Sequence, residues 1–361
     1  MPKILFERLM SDKPNYWLTY ILCFFSFLGC IGILIGIYMF IEYSGFEKKE
    51  YYIENLGYLG SYFSGLTSFF ILFLTVLAVY FSNKTYKKEG LRVKQQRFED
   101  HFFHLLQVHR ENVKNIEINT ITGKEIKGVK AILWMFRELM LILELINNKH
   151  TEEFNNIGRS IFSLKRQQVF FKEKLENKYL VEISFYCFFI GAGKRSNRTL
   201  KYYLDSRFGD KLYVSNVVDF LSNNIIREKI RKKKDFPYKL FGGHQTRLGH
   251  YYRHLFHTIK MIDSYQEGEE NDEIYKDYVR KLRIQLNTYE QALLIVNSLS
   301  VFGKEWEQYI WKYKLVKNLP KDFYDKEKEL DLEKIIKDIS FNYNAEGNKY
   351  FEYEEQIIEK L

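Results

Sequence analysis

Histidines and arginines are concentrated in one stretch of this chain, residues 243–263. Four of the eight histidines lie between positions 244 and 257, together with two arginines. Apolar residues recur within the stretch at intervals of 7, 4 and 3 positions, so it is predicted to form an amphipathic helix. His250, His254 and His257 then lie on one face, with Arg247 one turn earlier. Imidazole and guanidinium groups gathered in this way can bind phosphate and transfer protons.

One chemistry that suits this helix is metal-independent RNA cleavage. HEPN-type ribonucleases carry an arginine and a histidine separated by four to six residues on a helix. Arg247 and His254 fit that spacing, with six residues between them. We expect Arg247 and Arg253 to bind phosphate and His254 to act as acid or base. Arg97 and His104 fit the same spacing, so the pattern alone has little specificity.

Two other interpretations of the same residues remain open. In the first, His250, His254 and His257 bind a metal ion with His101 or His104. No carboxylate lies inside the cluster, however, so we predict neither a metal nor a cofactor. In the second, the helix is held in a buried polar network. Its members would be Tyr251, Arg253 and His254, with Glu99, Asp100, Glu111 and Glu290 as partners.

A second group of cations lies just upstream of this helix. Such a block can bind RNA or anionic lipid headgroups, although a solvated basic surface is the commoner explanation. The predicted binding residues are Arg227, Arg231, Lys232, Lys233 and Lys234. A nearby glycine-rich segment, 191–196, lacks the first glycine of a phosphate-binding loop and is expected to end a helix instead.

Two uncharged apolar segments, residues 17–41 and 58–81, precede these motifs. Each is long enough to cross a bilayer core of about 30 Å. The loop between them is acidic and the segment after residue 81 is basic, which predicts that both termini face the cytoplasm. Gly32 and Gly36 form a GxxxG pair that allows close helix packing, within the chain or between protomers.

The remainder of the chain is predicted to be an all-α cytosolic domain, because only 4 prolines occur in 361 residues. The domains expected are a segment 1–16, a transmembrane hairpin 17–81, a helical domain 82–320 and an acidic tail 321–361. Helices are predicted at 82–116, 129–147, 159–176, 179–190, 210–230, 273–299 and 304–316, with a turn or small hairpin at 117–128. The net charge of +9 suits an anionic membrane surface or nucleic acid, although a solvated basic face beside a membrane is the commoner explanation.

Three segments together resemble the putative phage abortive infection protein family of bacterial membrane-anchored defence proteins. They are 97–116, which begins Arg-Phe-Glu-Asp-His-Phe-Phe-His-Leu-Leu, then 243–256 (Gly-His-Gln-Thr-Arg-Leu-Gly-His-Tyr-Tyr-Arg-His-Leu-Phe), and 278–297. The resemblance covers residues 15–320 and implies phage defence at the bacterial inner membrane, by a multi-pass protein. It does not imply a mechanism. The effector could cleave RNA, perturb the membrane, or act as a sensor that needs a partner protein. The expected partners are inner-membrane lipids, further copies of the chain, RNA and a phage-derived trigger.

Overall fold

Helices dominate the computed structural model, which describes residues 16–43, 49–147, 170–172, 175–266, 272–316 and 319. This confirms the prediction of a mostly helical chain. The chain divides into two units, residues 1–98 and 99–361, and the boundary falls inside one long helix. The predicted helix 159–176 lies largely outside the described residues, as do the first 15 residues and the acidic tail.

The first unit contains helix α1 (Tyr16–Tyr43) and the beginning of α2 (Lys49–Asn115). The GxxxG pair of α1 packs against α2 within the same chain. A Cβ atom at Gly36 would lie 2.7 Å from the ring of Tyr62, and the hydroxyl of Tyr62 donates to the carbonyl of Gly32 at 3.1 Å. The small residues therefore serve this close intramolecular contact.

One described helix is long and apolar enough to cross a membrane. It lies within Gly60–Asn115, where the most apolar 18 residues have a mean hydropathy of 2.0. The described apolar part of α1, Phe27–Met39, is shorter. Length and composition thus support one of the two predicted crossings, and the second is not confirmed.

The second unit begins within α2 and continues into a hairpin of β1 (Glu117–Asn119) and β2 (Glu125–Lys127). The strands are antiparallel, with Ile118 opposite Ile126, which confirms the hairpin predicted at 117–128. The following elements are α3 (Val129–Ile146), α4 (Asn177–Phe189), α5 (Asn197–Phe208), α6 (Val214–Ser222), α7 (Asn224–Lys233), α8 (Gln245–Gln266), α9 (Asp272–Gln285), α10 (Thr288–Ser298), a 3-10 turn (Val301–Gly303) and α11 (Trp306–Tyr313).

The core of the second unit forms where α3, α4 and α10 pack on one another. These helices bury apolar side chains on most of their faces, as central helices do. Helix α8 has a single apolar stripe, and its four members Leu248, Leu255, Ile259 and Ile262 are at most 1% exposed. This confirms the amphipathic helix that the spacing predicted, and it leaves the opposite face of α8 free for polar side chains.

Two of the predicted helices are each interrupted in the structure. The helix predicted at 210–230 is interrupted at Asn223, whose side chain accepts hydrogen bonds from the first amides of α7. The helix predicted at 273–299 is interrupted at Asn287, which forms a capping box with Glu290 at the start of α10. Helix α5 was not predicted. In each interrupted helix a local asparagine bond replaces helical continuation, because Asn satisfies the amides that a helix start leaves open.

Candidate functional site

The start of α8 is positioned by a close crossing of two backbone segments. Gly243 has φ +87° and Gly191 has φ +80°, conformations that glycine adopts without strain. A Cβ atom at Gly243 would overlap the carbonyl oxygen of Ile190 at the end of α4. The amide of His244 donates to the carbonyl of Phe189 at 2.9 Å. Glycine at both positions therefore allows α8 to begin against the end of α4, and Gly191 ends α4 as predicted.

A buried carboxylate, Glu138 on α3, secures the same region. It is 0% exposed. Its oxygens accept from the Tyr238 hydroxyl at 2.6 Å, the Phe241 amide at 2.6 Å and the ring of His244 at 3.0 Å. Burial opposes ionisation of Glu138, but His244 and the two donors together hold its pKa below the ordinary value. Sequence reasoning missed Glu138, although a lone carboxylate on the buried face of an apolar helix was a usable signal.

Arg247 lies in a small polar cleft of about 330 Å³, which we call the polar cleft. Its Nε donates to the carbonyl of Glu117 at 2.8 Å, and its Nη1 donates to the carbonyl of Gly243 at 3.2 Å. The guanidinium is thereby held between the β hairpin and the start of α8. The other lining residues are Asn112, Asn115, Ile116, Asn119, Thr246, His250 and Tyr251.

Arg253 lines a different and larger cleft of about 500 Å³, which we call the aromatic cleft. Its Nε donates to the carbonyl of Gly249 at 3.1 Å, and its Nη2 lies 3.5 Å from Nδ1 of the exposed His250. Arginine only donates, so Nδ1 of His250 is the acceptor in this contact. The aromatic members of the lining are Phe189, Tyr252, Phe256, Phe302 and Trp306.

The structure therefore separates the residues predicted as one catalytic group. Arg247 and Arg253 line different clefts, and His254 lines neither of them. His250 connects the two arginines, because it lines the polar cleft with Arg247 and contacts Arg253. Arg247, His250 and Arg253 thus follow one another at intervals of three residues along α8. We call them the α8 stripe.

His254 belongs instead to a buried cluster between α2, α8 and α10. Its ring stacks on His109 with centroids 6.5 Å apart, and Tyr251 lies 5.5 Å from the same His109 ring. His109 Nε2 is 3.4 Å from Oε1 of Glu290. Burial, followed by the neighbouring charges of His109, His257 and His104, lowers the pKa of His254. The imidazole of His254 is therefore neutral at pH 7.

This cluster contains part of the polar network that was an alternative in the sequence. Tyr251, His254 and Glu290 lie in it, whereas Arg253 points to the aromatic cleft. Two of the expected partners bind elsewhere: Glu99 accepts from the Tyr278 hydroxyl at 2.7 Å, and Glu111 accepts from Gln107 at 3.2 Å. His109, which the sequence analysis did not assign to the site, is the residue that joins the cluster.

The other predicted site histidines lie at the surface. His101, His104 and His257 are exposed. Within the described parts of the chain, no three His, Cys, Asp or Glu side chains are placed to hold a metal ion.

The predicted binding block 227–234 is partly engaged in contacts within the chain. Arg227 donates to the carbonyls of Leu221 and Phe241. Arg231 pairs with Glu228, and Lys234 pairs with Glu144 at 3.0 Å. Lys232 and Lys233 are exposed.

Comparison with known proteins gives one result. Residues 243–324 match the family model described as "Putative phage abortive infection protein". The match covers under a quarter of the chain and begins at Gly243, so it contains the whole of α8. No curated protein and no solved structure matches the chain. Residues 243–324 are therefore similar to the putative phage abortive infection protein family, and this match supports the resemblance found in the sequence.

Proposed function

We propose that this protein defends bacteria against phage by abortive infection from the inner membrane. The observation that carries the proposal is the family match over residues 243–324. The apolar helix within Gly60–Asn115 supports a membrane anchor. In the proposed arrangement the chain crosses the membrane twice, with both termini in the cytoplasm, and works as a homo-oligomer that responds to a phage-derived trigger.

For the effector step we propose metal-independent cleavage of RNA along the α8 stripe. Arg247 and Arg253 provide two guanidinium groups that bind phosphate oxygens. Of the two histidines in reach, His250 is exposed and lies between the arginines, whereas His254 is stacked on His109. We therefore give the acid–base role to His250. His254, the residue first predicted for that role, is instead a member of the buried cluster with His109.

The experiment is a phage plating assay combined with analysis of total RNA from the same infected cells. His250→Ala and Arg247→Ala should lose protection and leave RNA intact, whereas wild type should protect and show cleaved RNA. Lys260→Ala is the matched control, because Lys260 is an exposed cation on α8 outside the stripe. All variants are compared at equal amounts of membrane-bound protein. Intact RNA in protected wild-type cells would exclude the nuclease.

A second candidate is an effector that perturbs the membrane, which the apolar part of α2 favours. Loss of membrane potential while RNA stays intact would identify this activity. Protection that appears only when neighbouring genes are present would indicate a sensor that needs a partner protein. These three outcomes can be measured in one infection time course.

A further inference from the structure

The aromatic cleft has the size and lining of a small-molecule site. Its volume is about 500 Å³, within the roughly 300–1,000 Å³ that is typical for ligand pockets. Sites that bind planar ligands are commonly lined by aromatic side chains and a few polar groups. All its lining residues lie in the second unit, on α4, α8, α10 and the segment from the 3-10 turn to α11.

The aromatic walls are held in place by contacts among the rings. Phe256 lies edge-on to Trp306 with centroids 5.2 Å apart, and Phe302 contacts Phe189 at 5.4 Å. Tyr252 and Trp306 are at most 6% exposed, whereas Phe302 remains 37% exposed. The ring of Phe302 is thus partly exposed to the cleft, while its contact with Phe189 holds it in place. A planar ligand could stack there without rearrangement of the walls.

Gly249 leaves open space in the aromatic cleft, and the fold does not require glycine at this position. Gly249 lies inside α8, where glycine weakens a helix relative to alanine. A Cβ atom built there would meet no heavy atom within 4 Å. Neither a positive φ nor a close packing contact demands glycine at this position. The missing side chain therefore widens the cleft at the point where Arg253 reaches it.

Arg253 brings a positive charge to the cleft. Its guanidinium contacts a backbone carbonyl and an imidazole. No carboxylate within the described residues forms an ion pair with it, and this includes Glu305, which lines the same cleft. The guanidinium can therefore accept an anionic group of a ligand while the rings hold the planar part.

We propose that the aromatic cleft binds one nucleotide unit, with its base against the aromatic walls beside Gly249 and its phosphate on Arg253. This inference rests on the proposed function, because Arg253 also binds phosphate in the proposed RNA cleavage. A nucleotide unit can come from an RNA strand or from a free mononucleotide. Both sources present the same base and phosphate to the cleft.

Isothermal titration of the purified full-length protein in detergent tests this assignment. The probes are AMP, GMP, CMP and UMP, and a five-residue oligoribonucleotide. We expect saturable binding of at least one probe. Arg253→Gln should weaken that binding by about ten-fold, the effect of losing one charge-assisted hydrogen bond. Gly249→Trp should abolish binding because the indole fills the cleft. Lys260→Gln, which removes an exposed charge on the same helix, should bind as wild type does.

The outcomes separate the two sources and the two proposals. Equal affinity for a mononucleotide and the oligomer identifies a free nucleotide as the ligand, whereas binding of the oligomer alone identifies a strand. Absence of binding by all five probes overturns the proposal. Binding that neither Arg253→Gln nor Gly249→Trp changes also overturns it. If the nucleotide binds as expected while infected cells keep intact RNA, the cleft assignment stands and the nuclease does not. Circular dichroism of each variant confirms that the helices are formed.

Discussion

The carboxylate of Glu138 and the imidazole of His244 lie 3.0 Å apart in the interior of the second unit. The two residues are 106 positions apart in the sequence. Their contact links the middle of α3 to the residue just before α8. Because Tyr238 and the Phe241 amide bind the same carboxylate, the segment leading into α8 is held at several points.

Removing this carboxylate should destabilise the protein strongly. We expect Glu138→Ala to lower the free energy of unfolding by about 3–5 kcal/mol, because it leaves buried donors without their acceptor. Glu144→Ala is the matched control. Glu144 lies on the same helix and pairs with Lys234 in a partly exposed position, so its loss should cost about 1 kcal/mol or less. Chemical denaturation followed by circular dichroism measures both. Equal losses in the two variants would contradict the role given to Glu138.

Two glycines that flank the start of α8 should respond in opposite ways to alanine. Gly243→Ala should destabilise by about 2 kcal/mol or more, since φ is +87° and the new Cβ overlaps the Ile190 carbonyl. Gly249→Ala should be neutral or stabilise by up to about 1 kcal/mol, because its Cβ enters open space in a helix. Thermal unfolding of the two variants gives the comparison. A stable Gly243→Ala protein would show that the crossing tolerates a side chain.

Stability should fall as the pH is lowered through the range in which His254 would bind a proton. The pKa of His254 is lowered in the folded protein, so the unfolded chain binds a proton first as the pH falls. The stabilising contribution is present above the unfolded pKa of about 6.5 and is lost below it. We expect the thermal midpoint to drop as the pH falls below about 6.5.

The variant His254→Phe tests whether His254 causes this pH dependence, because it keeps a ring against His109 but cannot be protonated. Its thermal midpoint should depend less on pH than that of wild type. His257→Gln, at an exposed position of the same helix, should leave the pH dependence unchanged. If both variants follow the wild-type curve, another group causes the change.

The capping box of α10 should make a measurable contribution to stability. Asn287→Ala removes the acceptor of the Glu290 amide and should cost about 1 kcal/mol. Thr288→Ala, one residue later, should cost only a few tenths of a kcal/mol by helix propensity. Since Glu290 also reaches His109, the Asn287 variant should in addition loosen the buried cluster. Faster hydrogen exchange of the α10 amides would detect this loosening. Unchanged exchange would show that the buried cluster does not depend on the capping box.

Helical spacing was sufficient to predict α8, its buried stripe and the long helix that ends near residue 115. The same spacing also predicts that Arg253 and His254 point in different directions. Arg253 and His254 are neighbours on a helix, so their side chains point about 100° apart and cannot share one face. Their division between a surface cleft and a buried cluster follows from that geometry.

The other features depend on contacts between distant segments. Glu138 was missed because its partner His244 lies 106 positions later, in the connection just before α8. The two residues meet only when α3 packs against the start of α8. The breaks at Asn223 and Asn287 were missed because asparagine also occurs inside helices. It ends one only where its side chain replaces the helical hydrogen bonds. The two clefts require the packing of several elements, which no local pattern encodes.

The crossing of Gly191 and Gly243 also determines which pieces of this protein can be studied alone. The family match starts at Gly243, yet the first amide after that glycine is bound by α4 and the first side chain by α3. A fragment cut at the start of the match would lose the carboxylate of Glu138 and the carbonyl of Phe189 together. Residues 243–324 alone therefore lack two contacts that hold the start of α8, and an excised 243–324 fragment should be less stable than the same residues in the whole chain.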